Sequence, residues 1–217
     1  MPFFVVHHTM TEMDRKIRNI VFDMGKVIIQ FDPDRFLDRA GVFDRDDRML
    51  LKKEIYESPL WIEMDRGALT EEGMIRIVKP VLPEHLQQYT EELIAGWCEP
   101  IEPVEGMEEL VYELKERGYG IYLLSNASVM QKTYWKQVGC SSCFDGTVVS
   151  AFEGVMKPDR TIYEILLERY GLEAEECLFI DDREANLKTA EEMGISVYLF
   201  DGNAEKLRES LKERKII

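Results

Sequence analysis

Residues 20–29 read IVFDMGKVII, an apolar run that ends in Asp23 and turns at Gly25. In a parallel α/β sheet, the carboxyl ends of the strands border the ligand crevice. A carboxylate at such an end can act as a nucleophile and as a metal ligand. Asp-x-Gly also forms ordinary turns, so the segment gains its meaning from the rest of the chain.

Strand and helix patterns alternate along most of the chain. Short apolar runs predict strands at residues 17–22, 118–124, 147–150, 177–180 and 195–200. Amphipathic spacing predicts helices at residues 107–114, 161–170, 184–193 and 204–215. This alternation predicts an α/β fold with a doubly wound, Rossmann-like parallel sheet.

One long segment interrupts the alternation. Residues 34–99 show helical periodicity, punctuated by prolines, with almost no strand pattern. We therefore predict a helical cap at 34–99, inserted after the first strand of a core formed by 15–33 and 100–217. The domain begins near Arg15, so residues 1–14 are interpreted as an N-terminal extension. The apolar patch there follows no basic residue and precedes no cleavage-like site, so a signal peptide is not expected.

The composition narrows the class of partner. Charged residues make up 32% of the chain, and the net charge is 27 − 42 = −15. Such a field repels nucleic acid and anionic lipid, and no apolar run is long enough to span a bilayer. A small anionic substrate remains compatible if a cation and a lysine reverse the local sign. We expect neither nucleic acid nor membrane partners, and a monomer or weak homodimer.

The cysteines and histidines narrow the chemistry. The four cysteines predict reduced thiols and a cytoplasmic location, and the Cys140–Cys143 pair lacks the second pair or histidine that a zinc site needs. There are only three histidines, too few for a zinc hydrolase and wrongly placed for a histidine-assisted nucleophile. The chemistry is therefore expected to use carboxylates, lysine, hydroxyls and a hard cation.

Polar residues follow three of the predicted strands. Asp23, Ser125 and the pair at 181–182 each come directly after an apolar run, so they should converge in one crevice. These residues, and Lys157 further along the chain, could instead have purely structural roles. Ser125 with Asn126, or the aspartate pair, could cap a helix, and Lys157 before Pro158 could be a surface lysine.

Four segments in order strengthen the functional interpretation. They are VFDMG at 21–25, LLSN at 123–126, MKP at 156–158 and LFIDD at 178–182. Together they resemble the four motifs of the haloacid dehalogenase-like (HAD) phosphohydrolases, a resemblance that covers the chain from about residue 15 onward. The helical insertion resembles the type I cap of that family. The double aspartate, with Asn186 four residues later, resembles subfamily IA.

The resemblance assigns roles to individual residues. It implies that Asp23 forms an aspartyl-phosphate and that Mg2+ is held by Asp23, the Gly25 carbonyl and Asp182. Asp181 would hold a metal-bound water or support the site from behind. Phosphoryl oxygens would bind Ser125, Asn126 and Lys157, and Asn186 would orient Lys157 or the metal shell.

Position 25 departs from the family pattern. Most phosphatases of the family carry an aspartate there, which protonates the leaving group and activates water, a contribution of about two to four orders of magnitude in rate. The Asp-x-Gly-x-Val pattern, Arg66–Gly67 and Ser125–Asn126 resemble a branch that includes bacterial α-D-glucose-1-phosphate phosphatase. Asp32, at the start of the predicted cap, is a candidate substitute for the missing acid.

The predicted function is a Mg2+-dependent phosphatase of small phosphorylated metabolites, favouring sugar phosphates such as glucose 1-phosphate. Trp61 and Arg66 would bind the sugar and an anion, although a cap aromatic is as often part of a core. One alternative is a 2-haloacid dehalogenase, but those enzymes carry small polar residues in place of the aspartate pair, which repels itself without a cation. The other is a weakly active or non-catalytic phospholigand-binding protein.

Overall fold

The computed structural model describes residues 17–217, and within that range it contains a five-stranded parallel sheet. In chain order the strands are β1 Asn19–Phe22, β2 Gly120–Ser125, β3 Gly146–Val149, β4 Cys177–Asp181 and β5 Ser196–Leu199. Across the sheet they run β3-β2-β1-β4-β5, all parallel. The strand order reverses at β1 and β4, which places the ligand crevice beyond the carboxyl ends of these two strands.

The strands are flanked by helices. In chain order the α-helices of the described residues are α1 Pro33–Arg39, α2 Arg45–Leu51, α3 Pro59–Asp65, α4 Glu71–Val78, α5 Thr90–Ile94, α6 Met107–Glu116, α7 Gln131–Tyr134, α8 Ser150–Glu153, α9 Arg160–Tyr170, α10 Glu184–Glu192 and α11 Ala204–Glu213. A π-helical turn, Lys52–Tyr56, continues α2. Short 3-10 turns lie at Lys79–Val81, Glu84–Tyr89, Trp135–Gln137, Gly139–Cys143 and Ala174–Glu176.

Both faces of the sheet are covered. Along β1, Ile20 and Phe22 belong to one apolar cluster and Val21 to another, as expected when successive side chains alternate between faces. Buried residues of α6 and α11 belong to the first cluster, and those of α9 and α10 to the second. The predicted doubly wound α/β fold is therefore confirmed.

The observed strand ends differ from the predicted ones by at most two residues. Gly118 has a φ of +88° and ends the turn after α6, so β2 begins only at Gly120. Ser150 begins α8, so β3 ends at Val149. In both cases the predicted strand extends past the point at which the neighbouring helix, or the turn that follows it, ends the strand.

Helices α1–α5 form a cap with its own core. Their buried apolar residues pack in a cluster separate from the two that flank the sheet, including Phe36, Leu37, Leu51, Ile55, Met74 and Ile94. The cap boundaries at 34 and 99 stay a prediction, and the extension at 1–14 lies outside the described residues. In the part of the chain that the structure describes, no helix is both long and apolar enough to cross a membrane.

Candidate active site

Three charged side chains meet at the carboxyl ends of β1 and β4. Lys157 Nζ lies 2.8 Å from Asp23 Oδ1 and 2.7 Å from Asp181 Oδ2. Asp23 directly follows β1, and Asp181 is the last residue of β4. The ammonium group also donates to the Leu124 carbonyl at 2.7 Å, so its three hydrogens have three acceptors. The convergence expected from the strand ends is present in the structure.

Asp181 is held from behind by α10 and the turn that precedes it. Its Oδ1 accepts hydrogen bonds from the Arg183 backbone N–H at 2.8 Å and from Asn186 Nδ2 at 3.0 Å. The Tyr163 hydroxyl donates to the Asn186 carbonyl at 2.8 Å. Asn186 therefore orients Lys157 indirectly, because it holds the carboxylate to which Lys157 is bonded.

The electrostatics of the site follow from burial and from an excess of negative charge. Burial raises the pKa of Asp23 to about 6, with Lys157 lowering it and Asp181 raising it. Burial acts to lower the pKa of Lys157, but its two carboxylate partners outweigh burial and raise it. The pKa of Asp182 is raised by burial and by Asp181, with Lys26 opposing. Three carboxylates around one buried ammonium group favour an added cation.

The donor set fits a hard metal ion. Carboxylate oxygens of Asp23, Asp181 and Asp182 all lie within 4.8 Å of one another. Mg2+ prefers oxygen ligands of this kind. Asp181 is fully buried and both of its oxygens accept hydrogen bonds, whereas Asp23, Gly25 and Asp182 line the cavity described below. Asp23 and Asp182 are thus better placed to touch a metal than Asp181.

Ser125 and Asn126 differ in what they contact. The Ser125 hydroxyl is buried and has no hydrogen-bond partner among the described residues, and Ser125 does not line the cavity. Leaving such a group unsatisfied costs about 1–3 kcal/mol. The Asn126 amide instead clasps the backbone of Lys157, accepting from its N–H at 2.8 Å and donating to its carbonyl at 2.9 Å. Asn126 therefore positions the lysine, a contact that the sequence did not predict.

A cavity of about 920 Å³ opens between the cap and the strand ends, and both Trp61 and Arg66 line it. Trp61 belongs to a group of four partly buried rings, here called the aromatic wall: Phe31, Tyr56, Trp61 and Trp97. Ring centroids are 5.6 Å apart for Phe31 and Trp61 and 5.1 Å apart for Tyr56 and Trp61. Arg66 is exposed and pairs with Glu63 at 3.2 Å.

The structure places Asp65, and not Asp32, at the cavity. Asp32 is exposed and caps α1, accepting from the Asp34 backbone N–H at 2.9 Å, and it does not line the cavity. The candidate substitute for the missing acid is therefore wrongly placed, because its carboxylate serves a helix end outside the cavity. Asp65, the last residue of α3, does line the cavity. Its place beside Arg66–Gly67 was visible in the sequence, but no local pattern gave it a role.

Cys140 and Cys143, the pair with the spacing of a metal or redox site, are structural. Cys140 and Cys143 are buried and free, and they lie in the 3-10 turn Gly139–Cys143. Burial raises the pKa of the Cys140 thiol to about 12 and also raises that of Cys143. A reactive thiol pair needs the opposite shift.

Comparison with known proteins agrees with this geometry. Residues 17–194 match the family of haloacid dehalogenase-like hydrolases. The chain belongs to this family. It is therefore a hydrolase with the HAD fold. Asp23 and Asp181 lie at the ends of β1 and β4, and Lys157 reaches them from the turn between α8 and α9.

Several relatives of known activity are similar to this HAD hydrolase over most of its length. The chloroplast flavin mononucleotide hydrolase 1 of Arabidopsis thaliana is 28% identical over 92% of this chain and 78% of its own length. The D-ribitol-5-phosphate phosphatase of Bacteroides thetaiotaomicron is 25% identical over 87% of this chain and 94% of its own. The sesquiterpene phosphatase astK of Aspergillus oryzae is 25% identical, with coverages of 85% and 90%.

Solved structures share the fold at lower identity. The HAD family enzyme bt-2542 of Bacteroides thetaiotaomicron, crystallised with magnesium and inorganic phosphate, has a TM-score of 0.64 at 22% identity, covering 86% of this chain and 96% of that one. The L-2-haloacid dehalogenase of Xanthobacter autotrophicus has a TM-score of 0.63 at 18% identity, covering 93% and 84%. The fold alone therefore does not separate a phosphatase from a dehalogenase.

Proposed function

We propose that this HAD hydrolase is a Mg2+-dependent phosphatase of small phosphorylated metabolites, with Asp23 as the nucleophile. The observation that carries the proposal is the buried Lys157 between Asp23 and Asp181, 2.8 and 2.7 Å away, with Asp182 beside them. Phosphoryl transfer needs charge neutralisation and positioning more than elaborate covalent chemistry. A fixed ammonium group among carboxylates that can hold a cation supplies both.

In the proposed reaction, an Asp23 oxygen attacks phosphorus and displaces the alcohol, which leaves an aspartyl-phosphate. Lys157 holds the attacking carboxylate and places a positive charge beside the transferred phosphoryl group. Asp23, Asp182 and the Gly25 carbonyl would hold Mg2+, with Asp181 supporting them from behind. Bound Mg2+ would neutralise the phosphoryl oxygens and orient them for in-line displacement.

The phosphoryl oxygens would find further donors on β2 and after it. The Ser125 hydroxyl is buried, lacks a partner among the described residues and does not line the cavity, so its proposed contact with a phosphoryl oxygen rests on the family resemblance and on this unsatisfied donor. Asn126 lines the cavity and uses one Nδ2 hydrogen on the Lys157 carbonyl, so its second hydrogen is available. This available hydrogen supports, for Asn126, the role that the family resemblance implies.

Two observations favour phosphatase over dehalogenase activity. The first is the acidic pair: Asp182 adds a carboxylate to a site that already holds two for one lysine, an arrangement that is self-repelling without a cation. The second is the activity that the relatives' names state: a flavin mononucleotide hydrolase, a D-ribitol-5-phosphate phosphatase and a sesquiterpene phosphatase. A dehalogenase needs neither the metal nor the second aspartate.

The leaving group lies on the cap side in this proposal. Trp61 could stack on a sugar face and Arg66 could bind an anion, which supports sugar phosphates such as glucose 1-phosphate. The double aspartate followed by Asn186 is what supports the likeness to subfamily IA. The aromatic wall favours a second candidate class. Four partly exposed rings around a cavity of about 920 Å³ also suit phosphomonoesters of larger, planar or apolar alcohols.

The cellular context is also part of the proposal. Within the described residues all four cysteines are free thiols, which suits a reducing compartment such as the cytoplasm. The net charge of −15 disfavours nucleic acid and anionic lipid as partners. A monomer or a weak homodimer is compatible with a site built entirely within one chain.

The test is a screen of phosphomonoesters with Mg2+ and with EDTA, using glucose 1-phosphate, flavin mononucleotide and 4-nitrophenyl phosphate. Phosphate release that needs Mg2+ and disappears in Asp23→Asn is the expected result, since an amide is a poor nucleophile. The matched control is Asp38→Asn, an exposed cap aspartate paired with Arg48. Halide release from a 2-haloacid without Mg2+, or tight phosphate binding without turnover, would refute the proposal in favour of one of the alternatives.

A further inference from the structure

The proposed reaction lacks an obvious proton donor for the leaving group. Gly25 carries no side chain where most phosphatases of the family have a carboxylate. The backbone does not require glycine there, since an added Cβ would lie 3.7 Å from Phe31 Cβ, an ordinary contact distance. The difference at position 25 is therefore chemical rather than steric, and another group must supply the proton if alkyl phosphates are substrates.

The proton donor must come from the cavity wall. Besides Asp23, Lys157 and Asp182, the cavity is lined by the ionisable residues Lys26, Tyr56, Glu57, Asp65, Arg66, Tyr134, Asp159 and Arg183. The arginine side chains stay protonated in proteins, so they cannot give up a proton to a leaving group. Lys26 and Glu57 are exposed to solvent, so they are set aside in favour of groups that are at least partly buried in the cavity wall.

Of the remaining residues, Tyr56 and Asp159 are excluded by their own hydrogen bonds and Tyr134 by its raised pKa, which leaves one. The Tyr56 hydroxyl donates to the Leu93 carbonyl at 3.0 Å, and burial raises the pKa of this residue and of Tyr134. Asp159 caps α9 through the Thr161 N–H at 2.9 Å, which lowers its pKa and keeps it ionised. Asp65 is left as the partly buried carboxyl group of the cavity.

The Asp65 backbone is held at a contact between the cap and the core. The Ser150 hydroxyl donates a hydrogen bond to the Asp65 carbonyl. Two residues later, Gly67 has a φ of +79°, and a Cβ there would lie 2.2 Å from the Ala151 carbonyl oxygen. The end of α3 is thus held directly against α8, with Asp65 facing the same cavity as Asp23.

The Asp65 side chain is free to act on a ligand. No hydrogen bond or ion pair to its carboxyl group occurs within residues 17–217. Glu71, the neighbouring cap acid, is different, because it is buried and accepts a hydrogen bond from Ser128 at the cap–core contact. Of these two cap carboxyl groups, Asp65 lines the cavity and Glu71 does not.

We propose that Asp65 is the proton donor to the leaving group, in place of the carboxyl group that Gly25 lacks. The inference rests on the proposed phosphatase function of the same site. It also assigns the cap a chemical role besides covering the substrate, because the donor belongs to α3 of the cap whereas Asp23 follows β1 of the core.

The two half-reactions balance with Asp65 as the only acid and base. As Asp23 attacks, the bond from phosphorus to the leaving oxygen breaks, and that oxygen takes the Asp65 proton and leaves as an alcohol. A water then attacks phosphorus and gives its proton to the Asp65 carboxylate. The bond from phosphorus to Asp23 breaks, which releases phosphate and restores both residues.

The protonation state of Asp65 agrees with this role. Its pKa is raised to about 7, first by burial and then by the carboxylates of Asp23 and Glu71, while Arg183 opposes the shift. A catalytic acid works best with a pKa near the working pH, because it must lose and regain its proton in each turnover.

The test compares 4-nitrophenyl phosphate, whose leaving group departs without a proton, with a simple alkyl phosphate, whose leaving group needs one. In the wild type, kcat/KM should depend only weakly on leaving-group acidity. In Asp65→Asn, kcat/KM for the alkyl phosphate should fall by about 10²–10⁴-fold, and for 4-nitrophenyl phosphate by less than about tenfold. Since water activation is also lost, the variant should release nitrophenolate in a burst and then turn over slowly.

Asp32→Asn is the matched control, because it makes the same change in the exposed aspartate that caps α1, and both rates should stay at the wild-type value. A retained nitrophenolate burst also shows that Asp65→Asn is folded. Equal losses on both substrates, no loss on the alkyl phosphate, or a wild-type rate that falls steeply with leaving-group basicity would each overturn the assignment. A wild-type enzyme that releases phosphate from neither substrate would instead refute the proposed function.

Discussion

Replacing Lys157 by methionine tests the charge balance on which the site depends. The lysine side chain is 1% exposed, and its ammonium group bonds Asp23, Asp181 and the Leu124 carbonyl at 2.7–2.8 Å. Methionine keeps a similar length and volume but removes the charge and the three donors. The change leaves two neighbouring carboxylates and one carbonyl without their partner.

The magnitude follows from the burial of the cluster. Removing one partner of a buried ion pair costs about 3–5 kcal/mol, a large part of the roughly 5–15 kcal/mol that stabilises a typical domain. For a chain of this size each kcal/mol corresponds to about 2–4 °C, so we expect the melting temperature to fall by roughly 6–20 °C. The same replacement of an exposed, paired lysine should cost at most about 1 kcal/mol.

The loss of stability caused by Lys157→Met should also depend on pH. Asp23 has a folded-state pKa of about 6, above the ordinary value of 3.8. Its contribution to stability is therefore complete below the ordinary value and is lost as the pH rises through the folded value. Loss of Lys157 removes an attraction that lowers this pKa, so the pKa rises further. The loss of unfolding free energy caused by Lys157→Met should therefore be larger at pH 8 than at pH 5.

The assay is urea unfolding in EDTA, followed by tryptophan fluorescence at pH 8 and pH 5. The control is Lys79→Met, since Lys79 is exposed on the cap and pairs with Glu91 at 2.7 Å. A Lys157→Met variant within about 1 kcal/mol of the wild type at pH 8, the limit for an exposed pair, would refute the argument from buried charge. A deficit of equal size at both pH values would refute the argument from Asp23.

Two further predictions concern the metal and the cap. Asp182→Ala should weaken Mg2+ binding by at least about tenfold, or about 1.4 kcal/mol, measured by calorimetry, and unchanged affinity would show that the ligand assignment is wrong. Trp61→Ala, and similarly Arg66→Ala, should change the ratio of kcat/KM for glucose 1-phosphate to that for 4-nitrophenyl phosphate, because both line the cap side of the cavity. Equal losses on the two substrates would indicate misfolding or a direct part in phosphoryl transfer.

The sequence by itself determined the sheet, the order of its elements and the residues at its strand ends. Apolar runs, helical spacing and residues such as Gly118 and Ser150 act within a few positions, so their effects can be followed along the chain. The carboxyl ends of parallel strands lie at one edge of a sheet, and this rule alone predicts that Asp23 and Asp181 lie close together. The paucity of histidine likewise limited the chemistry from composition alone.

Only the tertiary structure decided which side chains serve these strand-end residues. Asn126 clasps the Lys157 backbone across 31 positions, and Ser150 holds the Asp65 carbonyl across 85. The first contact depends on how segments of the core pack together, and the second on how the cap packs on the core. This packing depends on contacts between segments far apart in the chain, and no local pattern encodes it. For the same reason Asp32, closer in sequence to Asp23, caps a helix, while the more distant Asp65 faces the cavity.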